Sequence, residues 1–157
     1  MMRALVAIVV AGVSITAFPA AVMARDESRS SASAVAAGRG VTITTRKVGS
    51  YGRVLVDGRG IPLYSFSRDR GAHSRCDGAC AAAWPVTYAK GSPVARGGAK
   101  RSLLGRHRRG DGRFQVTYAG RPLYYYVRDS PGVALCHNVR EFGGLWLLER
   151  ASGRHVR

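Results

Sequence analysis

Acidic residues are scarce in this sequence of 157 residues, which has nine Asp and Glu against 25 Lys and Arg and a formal charge of +16. A field of this sign attracts phosphate-rich polymers such as nucleic acid, envelope polysaccharide and lipid headgroups. The basic residues are nearly all Arg, and Arg, Ala, Gly and Val dominate the composition. Compositional drift is therefore the alternative explanation of the charge.

Long apolar runs are absent beyond the first 24 residues. The chain starts with a positive segment at Arg3, continues with an apolar run over 4–17, and then has small residues at Val22 and Ala24. This order predicts a signal peptide over 1–24, cleaved after Ala24. The run is too short to cross a bilayer comfortably, and a retained anchor is the alternative. No Cys is near the cut to accept a lipid, so we expect an exported, envelope-associated protein, periplasmic or extracellular, without a membrane span after cleavage.

Large apolar side chains are almost missing from residues 25–40. Such a segment cannot offset the entropy of ordering, which predicts a disordered linker. We expect one domain over 41–150, followed by a frayed tail over 151–157.

Enzyme signatures are also lacking. The sequence has no nucleophile motif, no phosphate-cradling glycine loop before a helix and no metal-hydrolase signature. These absences disfavour an enzyme.

What the sequence does contain is an internal repeat with an offset of 60 residues. Residues 60–69 read GIPLYSFSRD and residues 120–129 read GRPLYYYVRD. Upstream, this offset aligns Val54 and Val56 with Phe114 and Val116.

Each copy has the pattern of a β-hairpin. Residues 53–57 and 113–118 alternate apolar and polar side chains, turn residues follow, and an aromatic strand returns. A lone hairpin is only marginally stable, so we expect the aromatic faces to pack together. The predicted fold is mainly β, with two pseudo-symmetric hairpin repeats over about 52–88 and 112–149, a basic loop over 89–111, and a short helical turn after Cys76.

These residues resemble a known family, the bacterial secreted and lipoprotein repeat with a Tyr-x-aromatic-x-x-Asp motif. The motif occurs at 64–69 and again at 124–129, and the segment CDGACAAAWP over 76–85 is similar to the Cys-x-Gly-x-Cys-Ala-x-x-Trp-Pro segment of the family. The resemblance implies an exported or envelope location and no established activity. Many members carry a lipidation Cys, which this chain lacks.

Three cysteines offer two kinds of chemistry. Cysteines of an exported chain are paired by default, so we expect a Cys76–Cys80 disulfide. Cys136 is then left without a partner in this chain, as a free thiol, a buried inert thiol or one that bridges to another chain. The alternative is a Cys76–Cys136 disulfide between the two repeats. The other possibility is a zinc or copper site, and its candidate ligands are His73, Cys76, Cys80, Cys136 and His137. No other cofactor is predicted.

The repeated motif residues have a structural and a functional interpretation. Asp69 and Asp129 end the two aromatic strands, where an Asp accepts hydrogen bonds from backbone N–H groups two residues on; the alternative is a pair of carboxylates serving as ligands or as acid and base. The aromatic motif residues are expected in the core, although they could stack on sugars or bases. These aromatic residues are Tyr64, Phe66, Tyr124 and Tyr126.

A basic segment between the copies is the candidate surface for a polyanion. It has little aromatic interleaving, so sequence-specific nucleic-acid recognition is not indicated. Its members are Arg96, Lys100, Arg101, Arg106, Arg108, Arg109 and Arg113. The sequence thus predicts a non-catalytic exported protein that binds anionic envelope polymers or another exported protein, with a metal or redox protein as the alternative.

Overall fold

The computed structural model describes residues 39–157. The predicted signal peptide and residues 25–38 of the predicted linker lie outside the described residues. Within 39–157 the chain forms nine strands and one short α-helix. In chain order these are β1 (Arg39–Lys47), β2 (Arg53–Asp57), β3 (Tyr64–Phe66), α1 (Ala79–Ala83), β4 (Ser92–Ala95), β5 (Leu104–Arg108), β6 (Phe114–Tyr118), β7 (Arg121–Pro122), β8 (Val139–Glu141) and β9 (Gly144–Leu148). Short 3-10 turns cover Gly49–Tyr51 and Arg101–Leu103.

The strands form three small sheets, in the orders β2-β1-β4, β3-β9-β8 and β5-β6-β7. All pairs are antiparallel except β1 with β4. The predicted mainly-β fold with two repeats and a short helical turn after Cys76 is confirmed. The turn, α1, stops before Pro85 because the residue preceding a proline is pushed out of the helical region.

The strand pair β1–β2 of the first repeat matches β5–β6 of the second with an offset of 61, one more than the motif suggests. Ile43 pairs with Asp57 in the first repeat, and Leu104 pairs with Tyr118 in the second. The turn after β2 is one residue longer, because Val56 bridges Pro62 whereas Thr117 pairs with Pro122. The sequence alignment upstream of the turn was therefore wrong by one residue, and Val56 corresponds to Thr117.

The repeats exchange strands instead of closing as separate hairpins. Beyond the turn, β3 leaves β2 and pairs with β9 of the second repeat, with Tyr64 opposite Leu148. Tyr124 bridges Val86 of the first repeat in the same way. At the centre, Tyr64 and Tyr124 donate their backbone N–H groups to each other's carbonyls at 2.9 Å. This reciprocal pair marks a pseudo-two-fold axis.

The segment 89–111 is not a basic loop, as the sequence had suggested. It contains β4, a 3-10 turn and β5. The edge strand β5 buries only Leu104 fully and is otherwise half-buried or exposed, so it lacks the apolar alternation that marks a strand. Since β1 and β5 belong to the repeats, the two copies begin earlier than residues 52 and 112.

Both ends of the predicted domain extend further than expected. β1 begins at Arg39, and Gly40 is buried, so the last two residues of the predicted linker belong to a strand. The C-terminal residues are not a frayed tail, because Val156 is buried and donates its N–H to the Leu148 carbonyl at 3.0 Å. Within the described residues, no helix is long and apolar enough to cross a membrane.

Two apolar clusters make the core. The first surrounds Trp84 and Trp146 and includes Tyr64, Phe66 and Tyr124. The second surrounds Ile43, Leu63 and Leu123. Three of the four motif aromatics, Tyr64, Phe66 and Tyr124, are thus in the core, whereas Tyr126 is partly buried and packs against it.

Candidate functional site

The repeated Tyr and Asp residues form two hydrogen bonds that cross from one repeat to the other. The Tyr64 hydroxyl donates to Asp129 Oδ2 at 2.7 Å, and the Tyr124 hydroxyl donates to Asp69 Oδ2 at 2.9 Å. Tyr124 is also within 2.7 Å of Ser74 Oγ. Each motif therefore supplies its Tyr to the carboxylate of the other copy.

The other carboxylate oxygen of each Asp fixes a loop. Asp69 Oδ1 accepts the N–H of Arg75 at 2.8 Å, and Asp129 Oδ1 accepts the N–H of Leu135 at 2.9 Å. Both donors are six residues along the chain, not two as the sequence had suggested. A wide loop is pinned here, rather than a tight turn.

Burial changes the acidity of these groups. It raises the pKa of Asp69 to about 6, although hydrogen bonds from the Arg75 N–H and the Tyr124 hydroxyl act in the opposite direction. Burial also raises the pKa of Asp129. The pKa values of Tyr64 and Tyr124 are raised first by burial and then by the carboxylates beside them.

Four aromatic rings stack through the centre of the first apolar cluster, alternating between the repeats. The indoles of Trp84 and Trp146 have centroids 3.9 Å apart and planes 2° apart. Phe66 stacks on Trp146 at 4.1 Å, and Tyr126 lies tilted against Trp84 at 4.8 Å. The stack leaves no open aromatic platform for a sugar or a base at Tyr64, Phe66 or Tyr124, which are buried.

The cysteines are arranged as one bridge and one thiol. Cys76 and Cys80 form a disulfide at the start of α1, with their Cα atoms 5.2 Å apart. Cys136 is free and half-buried. The alternative Cys76–Cys136 pairing is not the one in the structure.

The residues suggested for zinc or copper are placed in different contacts. Cys76 and Cys80 are bonded to each other, the His73 ring packs edge-on against His107 at 4.3 Å, and His137 Nδ1 accepts the Leu148 N–H at 3.1 Å. Within residues 39–157, no group of three or more His, Cys, Asp or Glu is arranged to hold a metal ion. The zinc or copper site stays a prediction, and it requires Cys76 and Cys80 to be reduced.

The basic segment divides into exposed and structural residues. Exposed side chains are those of Arg96, Lys100, Arg106 and Arg108, and of these Arg108 donates its Nε–H to the Gly112 carbonyl at 3.2 Å. The Arg109 side chain is only 8% exposed, and its guanidinium contacts Gln115, Cys76 and Asp77. Arg101 and Arg113 are exposed but bound within the protein, Arg101 to the Leu104 carbonyl at 3.2 Å and Arg113 to Asp111 at 2.8 Å.

Sequence reasoning missed two buried acids that hold arginines. Glu149, fully buried, accepts two hydrogen bonds from Arg121 at 2.8 and 2.9 Å. Asp57 accepts from Arg59 at 2.9 Å. The Arg59–Asp57 pair is only two residues apart in the sequence, whereas Arg121 and Glu149 meet through the fold and have no local signal.

These observations define a tandem-repeat β-domain whose copies are joined by exchanged strands and exchanged Tyr–Asp pairs. A family model described as a secreted repeat of unknown function matches the chain twice, at residues 44–87 and 105–148. The chain belongs to this family, and both matched ranges have the offset of 61 found in the strand register. A search of curated proteins and a search of solved structures each gave no match.

Proposed function

We propose that this exported protein is a non-catalytic binding module for anionic polymers of the cell envelope, working in the periplasm or outside the cell. The observation that carries the proposal is that the acidic side chains are bound within the protein, whereas many basic side chains have no acidic partner. Every Asp and Glu within residues 39–157 accepts a hydrogen bond from another group of the protein; they are Asp57, Asp69, Asp77, Asp111, Asp129, Glu141 and Glu149.

Many exposed cations have no such partner. Within the described residues, several exposed basic side chains form no ion pair; examples are Arg46, Lys47, Arg53, Arg70, Arg96 and Lys100. Because the acids are bound internally, they are poorly placed to neutralise this surface. An external polyanion would do so.

One pair of basic residues marks a specific position on the surface where an anion would be stabilising. Lys47 and Arg53 are direct cross-strand partners at the end of the β1–β2 pair, and both are exposed. Like charges directly opposite one another destabilise a sheet. An anionic polymer lying over this position would relieve that repulsion.

The test is a titration of the mature protein with long-chain polyphosphate over a range of salt concentrations. We expect affinity to fall steeply as salt rises, as when a protein releases counterions from a polyanion. The variant Lys47→Gln/Arg53→Gln should bind more weakly and with a shallower salt dependence. The matched control is Arg59→Gln, which removes an exposed charge that is already paired with Asp57, and it should change binding less.

Two results would contradict the proposal. One is the absence of polyphosphate binding at low salt. The other is an affinity that does not change with salt, which would favour another exported protein as the partner.

A further inference from the structure

A small polar pocket lies between the segment that follows β3 and the end of β5. Its cavity is about 90 Å³, and its lining includes His73, Ser74, His107, Arg108 and Arg109, with Asp77 also contributing. Since a water occupies about 30 Å³ in the liquid, the cavity has room for about three waters or one small oxyanion.

Arg109 gives the pocket a buried positive charge. Its side chain is 8% exposed, and its terminal nitrogens donate to Gln115 Oε1 at 2.6 Å and to the Cys76 carbonyl at 3.0 Å. Its Nε is buried and has no hydrogen-bond partner; the Asp111 carboxylate is 3.9 Å away. The guanidinium is thus held by Asp77 and lies beside Asp111, and its Nε is shielded from solvent.

The residues that line the pocket differ from those at the equivalent positions across the pseudo-two-fold axis. Val48 is the counterpart of Arg109, because Val48 donates its N–H to the Gly52 carbonyl and Arg109 donates to the Arg113 carbonyl in the equivalent turns. Val48 is in the apolar core.

The facing segment shows the same asymmetry. His73 bridges Arg70, and its counterpart Val133 bridges Ser130. Arg109 on one wall and His73 on the other thus occupy positions that are valines in the other repeat. Hairpin packing does not require this difference, since the other repeat folds without it.

We propose that this pocket binds one phosphoryl group and so anchors the anionic polymer of the proposed function, on which this inference rests. Arg108 supplies a cation that forms no ion pair within residues 39–157 and whose Nε donates to the Gly112 carbonyl at 3.2 Å, whereas Arg109 shares its charge with Asp77 and Asp111. The imidazoles of His73 and His107 can supply further N–H donors. Asp77 is already bound to Arg109. A metal cation would be repelled by the two guanidinium groups, so the paired imidazoles favour an oxyanion.

The test measures inorganic phosphate binding by calorimetry. The pocket variants are His107→Gln and Arg108→Gln, while Arg109 is left in place because its hydrogen bonds support the fold. The controls are Arg128→Gln and Arg140→Gln, which remove exposed charges that neither line the pocket nor belong to the Lys47–Arg53 pair. Loss of a hydrogen bond to a charged group should weaken phosphate binding about tenfold or more in the pocket variants, with the controls unchanged and all four melting like the parent protein.

Polyphosphate binding by the same variants is the second measurement, and it distinguishes a failure of this inference from a failure of the proposed function. Weaker polyphosphate binding in the pocket variants supports the pocket as the anchor on a polymer. Unchanged polyphosphate binding in those variants overturns the proposal that the pocket anchors the polymer and leaves the proposed function standing. Phosphate binding that depends on Arg108, without any salt-dependent polyphosphate binding, overturns the proposed function and the anchoring role and leaves a site for a free ion. Equal loss of phosphate in the pocket variants and their controls overturns the pocket.

Discussion

Trp84 and Trp146 stack face to face across the pseudo-two-fold axis, but only one indole N–H is satisfied. Trp84 Nε1 donates to Glu141 Oε2 at 2.8 Å, whereas Trp146 Nε1 is buried without a partner. The two equivalent residues therefore have different polar environments in an otherwise shared stack.

This difference predicts unequal costs for the same substitution. Trp84→Phe should lower the free energy of unfolding by about 1–3 kcal/mol more than Trp146→Phe, because it leaves Glu141 without its donor while the second change removes an unsatisfied N–H. Urea unfolding of both variants gives the comparison. Equal destabilisation would show that the Glu141 hydrogen bond contributes nothing.

The exchanged Tyr–Asp pairs predict energetic coupling between the repeats. Tyr64→Phe and Asp129→Asn should be non-additive by about 1 kcal/mol, since the first removes the donor of this hydrogen bond and the second removes the charge of its acceptor. The control cycle pairs Tyr64→Phe with Asp69→Asn, which share no hydrogen bond although they belong to one repeat. Stronger coupling in the control cycle would contradict the exchanged arrangement.

The raised pKa of Asp69 predicts an unusual pH dependence. A carboxyl with a higher pKa in the folded state than its ordinary 3.8 holds its proton preferentially in the folded protein, so its contribution to stability falls as pH rises from 3.8 towards about 6. Asp69→Asn imitates the protonated form. Relative to the parent protein, this variant should gain stability between about pH 4 and about pH 7, as measured by urea unfolding.

Asp111 is the matched control for this experiment. Its pKa is lowered, chiefly by the Arg113 N–H, so its ionised form favours the folded state. Asp111→Asn should therefore lose stability relative to the parent only as pH rises towards the ordinary value of 3.8, and the difference should stay nearly constant between about pH 4 and about pH 7. A gain for Asp111→Asn as large as that for Asp69→Asn between about pH 4 and about pH 7 would refute the role of burial at Asp69.

The cysteine arrangement predicts a simple thiol count. The mature protein from an export-competent host should have one alkylatable thiol after unfolding, that of Cys136, and mass spectrometry can count it. Cys76→Ala/Cys80→Ala should lose about 2 kcal/mol of stability, the chain-entropy value for so short a ring. Three alkylated thiols together with a stoichiometric metal would restore the zinc or copper site.

Local sequence patterns predicted the parts of the fold that depend on neighbouring residues. The Tyr-x-aromatic motif identified the repeat and its core aromatics, and Pro85 marked the end of α1. The exchange of β3 onto β9 could not be predicted, because either partner strand would satisfy the same alternation of side chains. β5 was not predicted because it has one fully buried residue, Leu104, among exposed arginines, and so lacks the alternation of apolar and polar side chains that indicates a strand.

The candidate site was less accessible to sequence reasoning. The basic segment was recognised by composition, but composition does not distinguish exposed Arg108 from buried Arg109. That distinction depends on the turn in which Arg109 replaces Val48, and on the distant Cys76 carbonyl that holds its guanidinium. The partners of Asp69 and Asp129 were equally non-local, because each carboxylate binds a hydroxyl from the other copy.

The exchanged strands have a consequence for folding during export. β3 pairs with β9, which lies near the C-terminus. In a chain that crosses the membrane N-terminus first, the first repeat is therefore already exported while β9 has not yet crossed, and the edge of β3 is unpaired. An unpaired edge is a template for association with other chains, and such long-range closure is slow. The first repeat therefore depends on the arrival of the second, and the interval between them is the time at which this protein is most exposed to aggregation and proteolysis.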